Sequence, residues 1–267
     1  MRNNFFSTLV FLKCGIHRFD MKRSGTARDW SGITATILTG GLGMRLRSVI
    51  VDRPKVLAEV RGKPFLAYLF DQLIDAHIRD VVLCTGYLGE HIQNLFGDSY
   101  KSLRLAYSQE SAPRGTAGAL RLALPLYTSD PVLVMNGDSF CQVNLYKFYT
   151  WYWERQADAA VLLTHVADVR RYGSVNCDTY GRILSFEEKG GKASPGWINA
   201  GIYLLSRHLL SEIPEEGVVS LEREIFPLWV GRGLYAYCYH GNFLDIGTPE
   251  SYGIAEQFFD SKGNNGY

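Results

Sequence analysis

Residues 38 to 48 read LTGGLGMRLRS, and Lys55 follows within RPKVLAEV. Gly40, Gly41 and Gly43 leave bare main chain that a ligand can approach closely. Arg45 offers a planar fork of donors suited to paired phosphate oxygens, and Lys55 a compact charge on a flexible stem that Pro54 stiffens at its base. Bare backbone beside two cations of different geometry is what a polyanion such as a nucleoside triphosphate requires. Neither common phosphate motif is present: no G-x-x-x-x-G-K-[ST] occurs, and the sixth position from Gly41 is Leu46, not the glycine of a dinucleotide fingerprint. Two carboxylates, Asp138 after Asn136-Gly137 and Asp245 in FLDIGTPE, each end an apolar run. Plainer roles exist for both, Asp138 as a turn residue and Asp245 as an acid near a helix start.

These residues need elements to bring them together. The apolar run Ile33 to Leu38 predicts a buried strand that delivers the glycines, and Val81 to Cys84, Leu103 to Tyr107 and Val132 to Met135 predict further strands. Helical spacing runs through Pro64 to His77, Leu88 to Phe96 and Thr116 to Leu124. Alternation of this kind implies right-handed βαβ units and a mostly parallel sheet covered on both faces, with ligands at the carboxyl ends of the strands. Beyond residue 157 the pattern changes to strands over Ala159 to Val166, Gly173 to Cys177, Arg182 to Phe186 and Ile198 to Leu205. A helix over Leu221 to Val230, strands at Leu234 to Tyr239 and Phe243 to Ile246, and a last helix capped by Thr248 with Pro249 complete the chain. GGKASPG, residues 190 to 196, reads as a mobile flap, and Trp151, Tyr152 and Trp153 read as packing residues.

Composition narrows the function. With 267 residues, 46% hydrophobic and 21% charged, the chain is an ordinary globular protein, and a net charge of +1 gives no global field toward nucleic acid or an anionic membrane. The five cysteines form no C-x-x-C pair and are expected to be reduced core thiols of a cytoplasmic protein; the six histidines lack zinc-ligand spacing. No apolar run is long enough for a membrane span. Residues 1–30 carry a short apolar run followed by cations and no small-x-small cleavage site, which suggests a poorly ordered extension or an upstream start with Met21 as initiator.

LTGGLGMRL, RPKVLAEV, NGD, FEEK, NAGIY and DIGTPE, in this order over residues 33 to 260, resemble the sugar-1-phosphate nucleotidyltransferases. The resemblance implies an α/β fold: a Rossmann-like three-layer sandwich with a mostly parallel central sheet and an additional antiparallel sugar-binding part. It implies a single domain over 31–262, with a nucleotide half near 31–157 and a sugar half near 158–262. The implied reaction is attack of a sugar 1-phosphate oxygen on the α-phosphorus of a nucleoside triphosphate, with release of pyrophosphate; the nucleophile is already an anion, so positioning and charge neutralisation suffice. In that scheme Leu38, Thr39, Gly40, Gly41, Gly43 and Met44 pass beneath the nucleotide and Arg45 holds the leaving phosphates. Lys55 reaches the α-phosphate or the attacking phosphate. Gln109, Pro113, Gly115 and Thr116 form a second nucleotide segment, although turn and cap chemistry alone also accounts for the last three. Asp138 and Asp245 hold Mg2+ through hard oxygen ligands. Asn136, Gly173, Glu188 and Asn199 line the sugar side, and Lys189 takes the sugar phosphate; an exposed ion pair is the plainer reading of the EEK run.

Within that family NGDSFC, RYGSV, INAGIYLL and SLEREIFP resemble the D-glycero-α-D-manno-heptose 1-phosphate guanylyltransferases, which implies GTP and the heptose 1-phosphate as partners and GDP-heptose as product; the sequence leaves the oligomeric state open, a homodimer among the options. Arg47-Ser48 replaces the wider family's Pro-Leu-Thr, and Met44 stands where Thr or Ser is common; Arg47 has no assigned role. Uridylyl-, thymidylyl- or guanylyltransfer to mannose, glucose or N-acetylmuramic acid 1-phosphate would use the same residues. A glycosyltransferase would need a D-x-D motif that NGD does not supply, and a non-catalytic nucleotide-sugar sensor would have lost some of Arg45, Lys55, Asp138 or Asp245.

Overall fold

The computed structural model describes residues 30–41, 46, 52–187, 189–190 and 192–260. Its strands are β1 (Thr34–Leu38), β2 (Glu59–Val60), β3 (Lys63–Pro64), β4 (Asp80–Thr85), β5 (Ser99–Tyr100), β6 (Leu103–Gln109), β7 (Val132–Asn136), β8 (Ser139–Cys141), β9 (Ala159–Val166), β10 (Val175–Cys177), β11 (Ile183–Phe186), β12 (Gly196–Leu205), β13 (Leu234–Tyr239) and β14 (Phe243–Asp245). The α-helices are α1 (Phe65–Asp75), α2 (Gly89–Phe96), α3 (Gly115–Ala123), α4 (Leu145–Glu154), α5 (Arg207–Glu212), α6 (Phe226–Trp229), α7 (Pro249–Gly253) and α8 (Ala255–Asp260).

An eight-stranded sheet runs β13-β9-β12-β7-β1-β4-β6-β5. β4, β1 and β7 pair in parallel, as do β6 with β4 and β13 with β9. β12 runs antiparallel to both its neighbours, β7 and β9, so β9 and β13 return to the common direction. β5 is antiparallel at the far edge. The sequence predicts extra antiparallel structure in the second half; most of that half is an extension of the same sheet, and the separate antiparallel pieces are the pairs β10–β11 and β8–β14.

Both faces of the sheet are buried along β1, β4, β7, β9 and β12, which is why these strands read as mostly apolar runs, whereas β6 alternates. Alternate residues go to opposite faces: Val81, Leu83, Leu133 and Met135 join the core under α1, α4 and α8, while Val82, Cys84, Val132 and Val134 join the core under α3, α5 and α6. α1 contributes Phe65, Leu66, Leu69, Phe70 and Leu73, the single stripe expected of a helix packed on a sheet.

Three elements differ from the sequence reading. α4 is a full helix where no helix is expected, because LYKFYTWYWE is aromatic around most of its circumference and its period is blurred. Its rings serve packing: Trp151 lies 5.2 Å from Tyr237 and Phe148 lies 5.3 Å from it. The strand predicted from Gly173 starts at Val175, since Gly173 adopts φ +78°. The helix predicted over Leu221 to Val230 is split into a π-helical turn, Leu221–Ile225, and α6, with Pro227 in the first turn of α6. The cysteine expectation is corrected in part. Cys84 and Cys141 are buried, and burial pushes the Cys84 thiol up to about 11. Cys177 and Cys238 are instead partly open, with their sulfurs 3.8 Å apart across β10 and β13. Cys14 lies outside the described residues.

Candidate active site

Strand register assembles the first half of the site. Leu38 is level with Cys84 on one side and Asn136 on the other, and Thr85 is level with Gln109, so the carboxyl ends of β1, β4, β6 and β7 share one edge. At that edge the Thr39 N–H and hydroxyl both donate to Cys84 O, at 2.9 and 2.8 Å, and fix where the glycine loop leaves the sheet. Gly40 and Gly41 sit at its start, and a Cβ on Gly41 would lie 3.8 Å from Lys55 Nζ. The start of the loop predicted to pass beneath the nucleotide and the lysine predicted to reach the α-phosphate or the attacking phosphate are therefore adjacent. Gly43, Met44 and Arg45 lie outside the described residues.

Asp138 is delivered by a tight crossing. Gly137 N–H donates to Leu38 O at 2.9 Å, and a Cβ at Gly137 would fall 2.6 Å from that oxygen, so β7 can close onto β1 only through glycine. Lys55 Nζ makes an ion pair with Asp138 Oδ2. Asp245 arrives from more than a hundred residues away because β14 pairs with β8, which sets Asp245 opposite Ser139, and Ile246 N–H donates to Asp138 O at 2.9 Å. The Gly247 N–H donates to Asp245 Oδ1 at 2.6 Å, and a Cβ at Gly247 would collide with that oxygen, which is what the glycine of DIGTPE is for. Burial first, and the Asp138 charge next, hold the Asp245 carboxyl above the usual carboxylate range; the Gly247 N–H, Lys55 and Arg171 oppose this. Two carboxylates brought together at the strand ends are a hard oxygen pair able to take a divalent cation. Among the described residues no cluster of three or more His, Cys, Asp or Glu could hold a metal alone. A cation here would complete its shell with phosphate and water oxygens.

The second nucleotide segment lies beside the first. Gln109 ends β6 with its side chain exposed, Pro113 is exposed, and Gly115 begins α3 at φ +72°. A Cβ at Gly115 would meet Val219 O at 2.4 Å. The Thr116 hydroxyl is fully engaged: it accepts from Leu221 N–H at 2.8 Å and donates to Glu222 Oε2 at 2.8 Å. Glu110, quoted within the segment but given no role from sequence, is the carboxylate that reaches the glycines. Its Oε1 would lie 3.1 Å from a Cβ on Gly40 and 2.7 Å from one on Gly86. Its Oε2 accepts from Arg114 N–H at 3.0 Å, and burial raises its carboxyl above the usual range.

The sugar-side residues converge on a cleft of about 310 Å³ that includes Asn136, Asp138, Gly173, Lys189, Asn199 and Asp245. Thus the carboxylate pair and Asn136, Gly173, Lys189 and Asn199 face one space. Glu188 lies outside the described residues; its neighbour Glu187 accepts from Ser174 Oγ and Asn176 Nδ2, both at 2.8 Å, and these bonds hold its carboxyl below the usual range. The 190–196 loop is laid on the preceding turn, with Val169 N–H donating to Ser194 O at 3.1 Å and Gly190 N–H to Arg170 O at 2.9 Å. Glu222 and Arg223 also line this cleft. Sequence reasoning noted SLEREIFP without assigning these two; the available signal was Ser220, whose hydroxyl caps the turn by accepting from Arg223 N–H. A larger cavity, about 940 Å³, opens among Trp30, His77, Gln142, Tyr146 and His240 and contains none of the predicted site residues. No helix of the described residues is long and apolar enough to cross a membrane.

Comparison with known proteins identifies the family. The family model described as nucleotidyl transferase matches residues 34–262. The D-glycero-α-D-manno-heptose 1-phosphate guanylyltransferase of Campylobacter jejuni is 35% identical over 218 residues, covering 82% of this chain and 96% of that protein. The enzyme of the same name from Aneurinibacillus thermoaerophilus is 35% identical over 224 residues, covering 84% and 96%. The crystal structure of HddC from Yersinia pseudotuberculosis complexed with GMP-PN superposes with a TM-score of 0.76 at 32% identity, over 85% of this chain and 99% of that one. A lysine, two carboxylates and a glycine loop gathered at the strand ends, within a chain matched over nearly its whole described length, place this protein in the nucleotidyl transferase family.

Proposed function

We propose that the chain transfers a guanylyl group from GTP to D-glycero-α-D-manno-heptose 1-phosphate, giving GDP-heptose and pyrophosphate in the cytoplasm. The observation that carries the reaction is the Lys55–Asp138–Asp245 cluster, set between the glycine loop and the sugar-side cleft. An oxygen of the sugar phosphate forms the new bond to the α-phosphorus as the bond to the β-phosphate oxygen breaks, and the electron pair leaves on pyrophosphate. Lys55 would meet the negative charge that grows at the α-phosphate, and electrostatic stabilisation of that kind is commonly the largest single contribution to catalysis. Asp138 and Asp245 would hold Mg2+, which neutralises phosphate charge; their mutual repulsion and oxygen chemistry fit that ion. On the sugar side Lys189 is placed to meet the attacking phosphate, while Asn136, Gly173 and Asn199 offer amide and main-chain contacts to hydroxyls. The choice of GTP is supported by the two 35% identical relatives and by Glu110. Glu110 lies between the glycine loop and the second nucleotide segment, and a carboxylate there would suit guanine, which alone among the common bases presents two adjacent donors, N1–H and the 2-amino group.

The direct test is pyrophosphate release with GTP, UTP, dTTP, ATP and CTP against heptose, mannose and glucose 1-phosphates, with and without Mg2+. Release with GTP and the heptose phosphate above all other pairs is expected. Silence with every pair removes the enzyme reading, and release only with UTP or dTTP removes the guanylyl reading. Turnover fastest with mannose 1-phosphate would move the acceptor to that sugar, the one named for the 33% identical guanylyltransferase of Mycobacterium tuberculosis.

A further inference from the structure

We infer that Glu222 is a positioning residue for the sugar side: its carboxylate is the acceptor that sets the direction of a hydrogen-bond relay ending on Asn199. The inference rests on the transferase reading and assigns part of SLEREIFP. Glu222 stands on the π-helical turn, a widened geometry frequent at functional sites. Its Oε2 accepts from Thr116 Oγ1 at 2.8 Å and from Ser220 Oγ at 3.3 Å, and its Oε1 accepts from Tyr203 Oη at 3.4 Å. Tyr203 is completely buried, and burial together with the Glu222 charge raises its hydroxyl well above the usual range, so it stays a donor. With its proton committed to Glu222, the Tyr203 oxygen has only lone pairs left. It accepts from Asn199 Nδ2 at 2.9 Å and from Asn136 Nδ2 at 3.5 Å.

The other end is equally fixed. Gly201 N–H donates to Asn199 Oδ1 at 2.8 Å, and a backbone N–H cannot reverse. Asn199 is therefore clamped with its oxygen on Gly201 and one amide proton on Tyr203, leaving the second amide proton as a donor in the cleft. An ionised carboxylate can only accept, so the whole relay has one polarity. Gly201 has φ +75° and its Cβ position is filled by Ser139 Oγ and Asn136, which holds the strand at the required distance. Through Thr116, at the start of α3, the same carboxylate ties the nucleotide half to the sugar half.

Glu222→Gln tests this, because it keeps the shape and removes the obligate acceptor. One of its two terminal positions becomes an NH2 group, which faces either the Tyr203 hydroxyl or those of Thr116 and Ser220. Facing Tyr203, it reverses the relay against Asn199, whose oxygen Gly201 already holds. Expected is a fall of about tenfold in kcat/KM for the sugar 1-phosphate, the scale of one misdirected buried hydrogen bond, with KM for GTP within about twofold of wild type. Tyr203→Phe keeps the ring and should reproduce the effect, and Glu222→Gln combined with Tyr203→Phe should be no worse than either alone. A packing role predicts additive losses and equal changes for both substrates. Either of those results, or an unchanged kcat/KM for the sugar 1-phosphate in both folded variants, overturns the relay. Wild-type turnover judges the underlying reaction; the ratio of variant to wild type judges Glu222.

Discussion

Replacing Lys55 by Met separates what the ammonium does for the fold from what it does for the reaction. The Lys55 and Asp138 side chains are 21% and 24% exposed, so their ion pair is neither a surface pair nor a fully buried one. Exposed pairs contribute about 0–1 kcal/mol, whereas losing one partner of a buried pair costs about 3–5 kcal/mol, so about 2 kcal/mol is expected here. For a domain of this size each kcal/mol moves Tm by roughly 2–4 °C, which places the drop at about 4–8 °C. The loss has a second part, since Met leaves Asp138 and Asp245 facing each other with one cation fewer between them. Adding Asp138→Asn removes that repulsion and should restore more than half of the lost Tm. Turnover should behave differently: Lys55→Met should lower kcat/KM by about 10²–10³, the scale for one preorganised charge at a transition state, and the double variant should recover none of it. The assays are a melt followed by circular dichroism and continuous detection of pyrophosphate. Unchanged Tm and turnover in the single variant, or a double variant no more stable than the single, would refute the reasoning.

Asp245 binds its proton more tightly in the folded chain than in the unfolded one, so it contributes stability below about pH 4 that is lost as pH rises through its folded value. Asp245→Asn should therefore raise the Tm of the metal-free protein at pH 7 while abolishing turnover, and Mg2+ should raise the Tm of wild type but not of the variant. Glu110→Gln should weaken GTP more than ATP, measured as the ratio of their kcat/KM values; an unchanged ratio removes Glu110 from base selection. Gly201→Ala would force an L residue to φ +75° and set its Cβ 2.6 Å from Ser139 Oγ. A left-handed conformation and overpacking together cost about 3 kcal/mol, roughly 6–12 °C of Tm, and the sugar KM should rise with it. A dithiol oxidant such as diamide should join Cys177 to Cys238, read as the loss of two free thiols by titration, and Cys238→Ser should block it.

Much of the site was legible because its motifs are local. A strand ending in TGG announces a ligand at its carboxyl end, and Leu38, Gln109 and Asn136 do share that edge. NGD and DIG carry glycines whose missing Cβ atoms are now accounted for by Leu38 O and Asp245 Oδ1. What could not be read is what depends on pairing between distant segments. β12 lies between β7 and β9, yet nothing in GWINAGIYLL states its partners or its direction. Glu110 and Glu222 were visible as residues, but their roles come from positions that only the folded backbone defines: one beside Gly40 and Gly86, the other below Tyr203. α4 escaped because an element apolar on most sides has no stripe to detect.

The placement of β12 also governs how the chain can acquire its structure. β7, the strand that presents Asn136 and Asp138, gains its outer neighbour only when residues Ile202 to Leu205 pair with it. A nascent chain that has emerged only as far as β9 holds β7 as a bare, apolar sheet edge, the kind of surface on which chains aggregate. The sheet is completed by pairings distant in sequence, β1 with β7 and β7 with β12, and non-local pairings of this kind slow folding. Gly201 and Asn199 arrive on the strand that flanks Asn136, while Asp245 joins them only when β14 pairs with β8.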